Sequence, residues 1–322
     1  MIRIGLIGCG GHSERGHATP LARFAAQHPG KIELTAVCDL QVDRAARFAS
    51  KFGFSSVYGD MHEMLERERL DGIVCIMPVN LIASTACELL SRGMRCVIEK
   101  PLGLNRTETM HLAEIARSTG TAHMVSLNRR FIPLLNRGLT WARECGPIRY
   151  VRGAMLRDRR VEPDFLWATG VHALDALRHI AGEIADYSVD VQKEVGGSTW
   201  RCVNLKFVKG TVGRLEIFPT AGMDEESYEI IGDGYRVIIS TVKSRGMRLR
   251  CWRRGDLVID EQIIEPHDVM RGEYDEVVEF VRALKSQTCP RPCIEDVLPS
   301  MEICWAMQSQ AMEVGGVTRG CE

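Results

Sequence analysis

The sequence contains no apolar run that approaches the roughly 20 residues needed by a membrane-spanning helix. The apolar stretch at residues 1–7 is too short for the hydrophobic region of a secretory leader. An excess of either charge is also missing, since 41 Lys and Arg residues face 42 Asp and Glu residues and the formal net charge is −1. We therefore expect a cytoplasmic protein whose partners include neither a nucleic acid nor a membrane.

The 12 cysteines form no disulfide framework. They are scattered through apolar segments, which is typical of small buried side chains in a reducing compartment. Cys289 and Cys293 form the one close pair, but they enclose two prolines and have no histidine nearby, so we predict no metal site there. The hydrophobic content of 45% over 322 residues predicts a globular protein with about two domains.

Short β-rich runs alternate with helical patterns over the first 125 residues. Strands that alternate with helices of about ten residues indicate βαβ units and a parallel sheet with right-handed crossovers. We predict an α/β fold that begins with a Rossmann domain, a doubly wound parallel sheet, at residues 1–124. The β-rich runs are 2–7, 32–38, 72–77, 95–98 and 123–127.

Beyond about residue 145 the pattern changes. A strand at 148–156 and a helix at 169–181 precede several β-rich runs joined by turn signals, and these runs predict an antiparallel meander. Two helical patterns follow at 273–285 and 294–312. We predict a C-terminal α+β domain with one large, predominantly antiparallel sheet at residues 125–322. The β-rich runs of the meander are 187–191, 199–207, 211–218, 226–231, 235–241, 248–253 and 257–264.

A glycine-rich turn follows the first predicted strand and precedes a helix. Such a turn lets a pyrophosphate approach the backbone closely, and the helix N-terminus supplies oriented N–H groups. The third small residue of the usual fingerprint is Ser13, which as a helix N-cap serves the first turn or a phosphate oxygen. The alternative is a tight turn that serves only helix–strand packing. The predicted cofactor contacts of the turn are Gly8, Gly10, Gly11, His12 and Ser13.

Asp39 follows the second predicted strand. A carboxylate at this position accepts hydrogen bonds from both hydroxyls of an adenosine ribose, as NAD requires. The next residues, Leu40 and Gln41, offer no Arg for a 2′-phosphate, so the sequence favours NAD over NADP. The alternative is an ordinary loop residue.

Glu99, Lys100 and Pro101 follow the fifth predicted strand, at the sheet edge where ligands bind in open α/β folds. A lysine beside a nicotinamide hydrogen-bonds a substrate hydroxyl and stabilises the oxyanion that develops during hydride transfer. Pro101 bends the chain after it. The alternative is a solvated lysine at a strand end.

Six motifs occur in a fixed order: the glycine turn, residues 36–39, residues 72–78, Glu99-Lys100-Pro101, Asn128-Arg129-Arg130-Phe131 and residues 170–179. Together they resemble the Gfo/Idh/MocA family, the relatives of glucose–fructose oxidoreductase and inositol dehydrogenase. The resemblance covers nearly the whole chain. It implies tightly held NAD(P), hydride exchange at a carbon of a sugar, polyol or related compound, and a second-domain sheet that often forms a dimer or tetramer interface.

The resemblance also assigns two catalytic residues. Lys100 aligns with the catalytic lysine of the family, and His172 aligns with the histidine of its second catalytic motif. Many members carry an Asp four residues before that histidine, where this chain has Ala168. The missing carboxylate leaves open whether the chemistry is retained, altered or absent.

A second departure follows Pro78, where relatives commonly have a histidine a few residues on. Here Asn80 follows, and we predict that it caps the helix and touches the cofactor. The further predicted cofactor contacts outside the turn are Asp39, Pro78, Glu99 and Lys100.

His172, Asp175 and His179 lie on one stripe of a predicted helix. His172 suits the role of general base because an ordinary histidine pKa lies near neutrality. Asp175 either orients that imidazole or contacts substrate hydroxyls. The alternatives are a buried polar stripe between the domains and a metal site, and three ligands on one helix face make the metal site awkward, so we predict no metal.

The predicted substrate contacts are Arg129, Arg157, Trp167 and Asp175. Arg157 belongs to a group of arginines that forms either a solvated sheet face or a set of forks for an anionic substrate, such as a sugar acid or phosphate. Trp167 either stacks on a sugar face or fills the junction between the domains.

We therefore expect an NAD-dependent oxidoreductase that transfers a hydride between nicotinamide and a secondary alcohol or ketone carbon of a sugar-like substrate. The alternatives are a non-catalytic protein that senses NAD or a sugar, and a lyase or glycosidase that uses NAD without net redox change. The expected assembly is a homodimer or homotetramer through the C-terminal sheet.

Overall fold

The computed structural model describes residues 1–193, 198–242, 246–264 and 266–313. The chain forms two compact units. One consists of residues 1–128 and 271–298, and the other consists of residues 129–270 together with those from 299 onward. None of the described helices combines the length and the apolar character that crossing a bilayer requires.

A six-stranded parallel sheet is the centre of the first unit. Its strands are β1 (Ile2–Ile7), β2 (Ile32–Cys38), β3 (Ser56–Tyr58), β4 (Gly72–Cys75), β5 (Cys96–Ile98) and β6 (His123–Val125). Their order is β3-β2-β1-β4-β5-β6, which reverses at β1 as in a doubly wound sheet. The predicted Rossmann fold is confirmed, and the structure adds β3, a short edge strand that the sequence pattern did not predict.

The helices of this unit follow the strands in the predicted alternation. They are α1 (Gly11–Ser13), α2 (Thr19–Gln27), α3 (Val42–Phe52), α4 (Met61–Arg67), α5 (Val79–Ser91) and α6 (Arg106–Thr119). A π-helical turn, Glu14–Ala18, joins α1 to α2. Asp60 caps α4, since its Oδ1 accepts a hydrogen bond from the Glu63 N–H at 2.9 Å.

An eight-stranded sheet is the centre of the second unit. Its strands are β7 (Ile148–Leu156), β8 (Ile184–Lys193), β9 (Thr199–Phe207), β10 (Val212–Phe218), β11 (Glu225–Gly232), β12 (Tyr235–Val242), β13 (Gly246–Arg253) and β14 (Asp256–Ile263). Their order is β14-β13-β12-β11-β7-β10-β9-β8. Neighbouring strands are antiparallel except for β7 and β10, which confirms the predicted, predominantly antiparallel sheet.

Helices cover one face of the second sheet. They are α7 (Pro133–Cys145) and α8 (Val171–Ala181), and a π-helical turn, Leu166–Gly170, leads into α8. The short helix α9 (His267–Met270) packs on α7. Helix α7 packs on β11, β12 and β13, while α8 packs on β7. Glycines allow the close approach, since a Cβ at Gly153 would lie 3.3 Å from Leu177 Cδ1 of α8.

Helix α10 (Glu273–Ser286) packs within the first unit, although its sequence follows the meander. Its buried face includes Val277, Phe280 and Leu284, and it packs on α2 and β1. A Cβ added to Gly72 at the start of β4 would lie 2.7 Å from Leu284 Cδ1. The two compact units therefore differ from the expected division into 1–124 and 125–322, because this apolar face is buried against the parallel sheet. The last described helix is α11 (Ile294–Glu313).

Candidate active site

The glycine turn after β1 is closed toward the sheet and open on its other side. Gly8 has a φ of +92°, and a Cβ there would lie 1.9 Å from the carbonyl oxygen of Ile76, so only glycine fits. Gly10 is extended and caps α1, and a Cβ added to it would meet no atom of the described residues within 4 Å. A Cβ on Gly11 would lie 3.3 Å from Arg15 Nη1. This shape lets a diphosphate approach the backbone at Gly10.

Ser13 is not a helix N-cap, so that prediction is wrong. Gly10 holds the cap position, and Ser13 has helical dihedral angles and is fully buried. The helix begins three residues earlier than the sequence suggested because Gly10 already has the extended backbone of a cap. A cofactor contact by Ser13 stays a prediction.

Asp39 lies directly after β2, where the sequence placed it. Its carboxylate is buried and accepts backbone hydrogen bonds from Cys9 at 2.8 Å and Gln41 at 2.9 Å. It also accepts two from Arg44 of α3, at 3.0 Å from Nε and 2.6 Å from Nη2. Burial alone would raise the pKa of Asp39, but these hydrogen bonds outweigh it and hold the pKa below its ordinary value.

Glu99 joins the strand end of β5 to the helix that follows the glycine turn. Its Oε1 lies 2.9 Å from His12 Nε2 and 2.9 Å from His17 Nε2. Burial favours the neutral acid, but the hydrogen bonds from both imidazoles hold the pKa of Glu99 well below its ordinary value. A buried carboxylate is therefore fixed beside Lys100, which is half-buried.

Pro78 and Asn80 both lie at the start of α5 and are exposed. The helix begins at Val79 with Pro78 in the cap position, so Asn80 is inside the first turn. The prediction that Asn80 caps the helix is therefore wrong. Contact of these two residues with the cofactor stays a prediction.

His172 lies at the start of α8, just after the π-helical turn Leu166–Gly170, and is buried. Ala168 lies within that turn, and its N–H donates to the carbonyl oxygen of Asp164 at 2.8 Å. Trp167 of the same turn is half-buried. The second unit thus contains His172 but has Ala168 four residues earlier, where many members of the resembled family carry an Asp.

Asp175 accepts hydrogen bonds from three side chains of the second unit. Arg130 donates to both oxygens, at 2.6 and 2.8 Å, and Ser300 donates at 2.9 Å. Arg178 lies 3.4 Å away. Asp175 is 1% exposed, so these contacts favour a structural role over the predicted contact with substrate.

His179 is also held by a neighbour, since its Nε2 lies 2.9 Å from Asn136 Oδ1. Burial and the nearby Arg130 lower the pKa of His179 to about 4. The imidazole is therefore neutral and already hydrogen-bonded.

Arg129 and Arg157 meet at Glu226 on β11. Arg129 donates to both carboxylate oxygens at 3.0 Å, Arg157 Nη2 donates at 2.6 Å, and the Tyr228 hydroxyl donates at 2.6 Å. Burial opposes the charge, but the two guanidinium groups hold the pKa of Glu226 well below its ordinary value. The structure brings both predicted arginines together, and their bonds to Glu226 favour a structural role over the predicted contact with substrate.

Comparisons with known proteins agree with this geometry. A family model described as an oxidoreductase family with an NAD-binding Rossmann fold, GFO_IDH_MocA, matches residues 2–127. Myo-inositol 2-dehydrogenase of Thermotoga maritima is 27% identical over 267 residues, which are 75% of this chain and 76% of the relative. The first unit of the chain is therefore similar to the Rossmann domain of the Gfo/Idh/MocA oxidoreductases.

Solved structures share the fold of this chain. A family oxidoreductase from Vibrio cholerae superposes with a TM-score of 0.84 at 20% identity, covering 98% of this chain and 100% of the other. Levoglucosan dehydrogenase in complex with NADH and L-sorbose superposes with a TM-score of 0.80 at 18% identity, covering 97% of each chain.

The family model that matches residues 2–127 describes an NAD-binding Rossmann fold, and the first unit has features that suit NAD. Gly10 leaves room for the diphosphate, and Asp39 and Lys100 follow strands β2 and β5 at the carboxyl edge of the sheet. A contact of Asp39 with the adenosine ribose stays a prediction.

The residues of these networks that were not predicted include His17, Arg44 and Glu226. His17 lies five residues after His12, a spacing that an ordinary α-helix does not align on one face, and the π-helical turn aligns it. Arg44 is in the first turn of α3, five residues after Asp39, and Glu226 is 97 residues from Arg129. In the sequence, only the short separation of Arg44 from Asp39 was visible.

Proposed function

We propose that the chain is an NAD-dependent dehydrogenase or reductase that acts on a secondary alcohol or ketone carbon of a sugar, polyol or sugar-derived substrate. The main support is the pair of hydrogen bonds from His12 and His17 to Glu99. These bonds tie the helix of the cofactor turn to the strand end that carries Lys100. Myo-inositol 2-dehydrogenase among the relatives and levoglucosan dehydrogenase among the solved structures act on compounds of this class.

Lys100 and His172 are the proposed catalytic residues. NAD, when bound, would supply the acceptor or donor of the hydride. Lys100 donates a hydrogen bond to the substrate oxygen and stabilises the negative charge that develops there. His172 takes the proton from the alcohol, or returns it in the reverse direction. With Ala168 in place of an acid, the proton transfer rests on His172.

Lys100→Met is the direct test. The substitution keeps a long apolar stem but removes the donor, so we expect turnover to fall by at least about a hundredfold while NAD affinity changes little. The assay first identifies retained cofactor by mass spectrometry of the purified protein and then screens sugars and polyols at the NADH absorbance band. Lys51→Met, on an exposed ion pair with Glu14, is the matched control. Full activity of Lys100→Met would disprove the assignment.

The missing acid at Ala168 supports one alternative function, a non-catalytic sensor, and a lyase or glycosidase is a further alternative. A protein that binds NAD but reduces none of it across the panel would be a sensor of cofactor or sugar. Product formation without accumulation of NADH would indicate a lyase or glycosidase that uses NAD transiently. The same assay separates these two functions from net dehydrogenation.

Assembly and location belong to the same proposal. We propose a homodimer or homotetramer through the sheet of the second unit, in the cytoplasm. The face of this sheet that the helices do not cover supports a polar interface. It carries cross-strand ion pairs such as Arg152 with Glu216 and Arg248 with Asp260.

A further inference from the structure

The carboxylate of Asp39 has no acceptor site left for a ribose. A carboxylate offers about four lone-pair positions. The hydrogen bonds from Cys9 N–H, Gln41 N–H and the Nε and Nη2 groups of Arg44 fill that number. The two backbone donors are part of the turn geometry, whereas the guanidinium is a side chain that can move. A ribose hydroxyl therefore binds Asp39 only by displacing Arg44.

Arg44 has room to move. Its side chain is 41% exposed, whereas that of Asp39 is 5% exposed. It lines a depression with a volume of about 380 Å³, together with Gln41, Val42, Asp43 and Arg47. Arg44 and Arg47 are three residues apart on α3 and so lie on the same face of the helix. Rotation of Arg44 away from Asp39 would thus keep its charge at the depression.

The charges around this depression suit a phosphate that arrives with the cofactor. Two arginines face one acid of the lining, Asp43, while Asp39 is buried behind Arg44. A bare carboxylate at the end of β2 repels a 2′-phosphate, and the paired guanidinium cancels that repulsion. A guanidinium also binds a phosphate through two parallel hydrogen bonds.

We infer that Arg44 sets the cofactor choice of this enzyme, so that it accepts NADP as well as NAD. With NADP, Arg44 and Arg47 bind the adenosine 2′-phosphate. With NAD, the Arg44 side chain rotates away, and the Asp39 carboxylate accepts hydrogen bonds from the ribose hydroxyls. The inference rests on the proposed function only in placing the adenosine ribose at Asp39.

Equilibrium binding of NAD⁺ and NADP⁺ to the full-length protein tests the inference without any need for a substrate. We expect the wild-type protein to bind both within about tenfold of each other. In Arg44→Ala, NADP⁺ should bind at least about tenfold more weakly, because a charge-assisted pair is lost. NAD⁺ should bind no more weakly than before, because Asp39 is then open to the ribose.

Two controls sharpen the result. Arg67→Ala removes one exposed arginine of the same unit, paired only locally with Glu63, and should leave the ratio of the two affinities unchanged. Adenosine 2′,5′-bisphosphate and 5′-AMP differ only by the 2′-phosphate, so the bisphosphate should bind more tightly to the wild-type protein and lose that advantage in Arg44→Gln. The advantage should also shrink with added salt.

A wild-type preference for NAD⁺ above about tenfold, or a loss of NADP⁺ affinity in Arg44→Ala below about tenfold, would overturn the inference. Weaker NAD⁺ binding in Arg44→Ala would also overturn it. Failure of the wild-type protein to bind either dinucleotide would instead refute the placement of the cofactor, on which the proposed function depends.

Discussion

Glu276 of α10 is a buried carboxyl group that the proposed chemistry does not use. It is 3% exposed, and it accepts a hydrogen bond from the Ser126 hydroxyl at 3.0 Å. Its Oε1 meets no hydrogen-bond partner among the described residues. Burial, reinforced by the charge of Glu99, raises the pKa of Glu276 well above its ordinary value. The folded protein therefore keeps the proton of Glu276 to a higher pH than the unfolded chain does.

Glu276→Gln should stabilise the protein, and increasingly so as the pH rises. The folded state binds this proton more tightly than the unfolded state, whose glutamate pKa is about 4.3. The wild-type protein therefore loses up to about 1.4 kcal/mol of stability per pH unit above that value, until the pH reaches the folded pKa. Glutamine does not titrate, so the variant does not lose this stability as the pH rises.

Urea unfolding at pH 5 and pH 8 measures this prediction. The gain in unfolding free energy for Glu276→Gln should be larger at pH 8. Exposed Glu114 of α6 provides the control, because Glu114→Gln should change stability little at either pH. A gain that is equal at the two pH values would show that Glu276 titrates as it does in the unfolded chain.

At the scale of elements, two glycines of the turn between β1 and α1 have different roles. We expect Gly8 to be required for folding and Gly10 to be required for cofactor binding. Gly8→Ala forces a Cβ to within 1.9 Å of the Ile76 carbonyl oxygen at a φ of +92°, so β1 and the segment after β4 must move apart. Gly10→Ala places its Cβ in open space at a φ of −81°. The first change damages the fold, and the second obstructs only the surface where a diphosphate approaches.

We expect Gly8→Ala to lower the unfolding free energy by about 2 kcal/mol or more. Gly10→Ala should keep the wild-type melting temperature and lose at least about tenfold in NAD affinity. Differential scanning fluorimetry with and without NAD⁺ measures both. Unchanged NAD binding in Gly10→Ala would place the diphosphate elsewhere.

The elements predicted correctly from the sequence are those that a short, continuous stretch of residues identifies by itself. The strands before Gly8, Asp39 and Glu99 are apolar runs bounded by turn residues, so their ends and the residues that follow were placed correctly. The half-buried edge strand β3 has only three residues and no such pattern. The start of α1 was misplaced because a glycine cap lacks a side-chain signal.

Contacts between distant segments could not be predicted. Arg129 and Arg157 looked available for a substrate because the sequence does not show that both side chains bind Glu226 of β11, the strand that pairs with β7. The sequence likewise does not show that Arg130, which lies 45 residues before Asp175, donates hydrogen bonds to both of its carboxylate oxygens. The charge of a residue is visible in a sequence, but whether a partner already neutralises it is not.

At the scale of the whole molecule, the first unit is discontinuous in sequence. Residues 271–298 return to it after the whole eight-stranded sheet, and α10 buries Val277, Phe280 and Leu284 there. Residues 1–128 alone would expose the apolar surface that this helix covers on α2 and β1. A stretch that looks like a complete Rossmann domain in sequence thus lacks part of its core.

We therefore expect a fragment of residues 1–128 to be unfolded or aggregated and to bind no NAD. The same fragment joined by a short Gly-Ser linker to residues 271–298 should fold cooperatively and bind NAD⁺. The linker can be short because Asn128 Nδ2 donates to the Arg271 carbonyl oxygen at 3.1 Å. Circular dichroism and NAD⁺ titration of the two fragments measure the difference.

Phe280→Ala in the linked fragment is the control for the helix itself. Loss of this buried ring should cost about 3–5 kcal/mol and return the linked fragment to the behaviour of residues 1–128 alone. Val278→Ala on the exposed face of the same helix should leave it folded. If residues 1–128 fold and bind NAD⁺ without α10, the first unit has a sufficient core in its first 128 residues, and the apolar face of α10 serves another purpose.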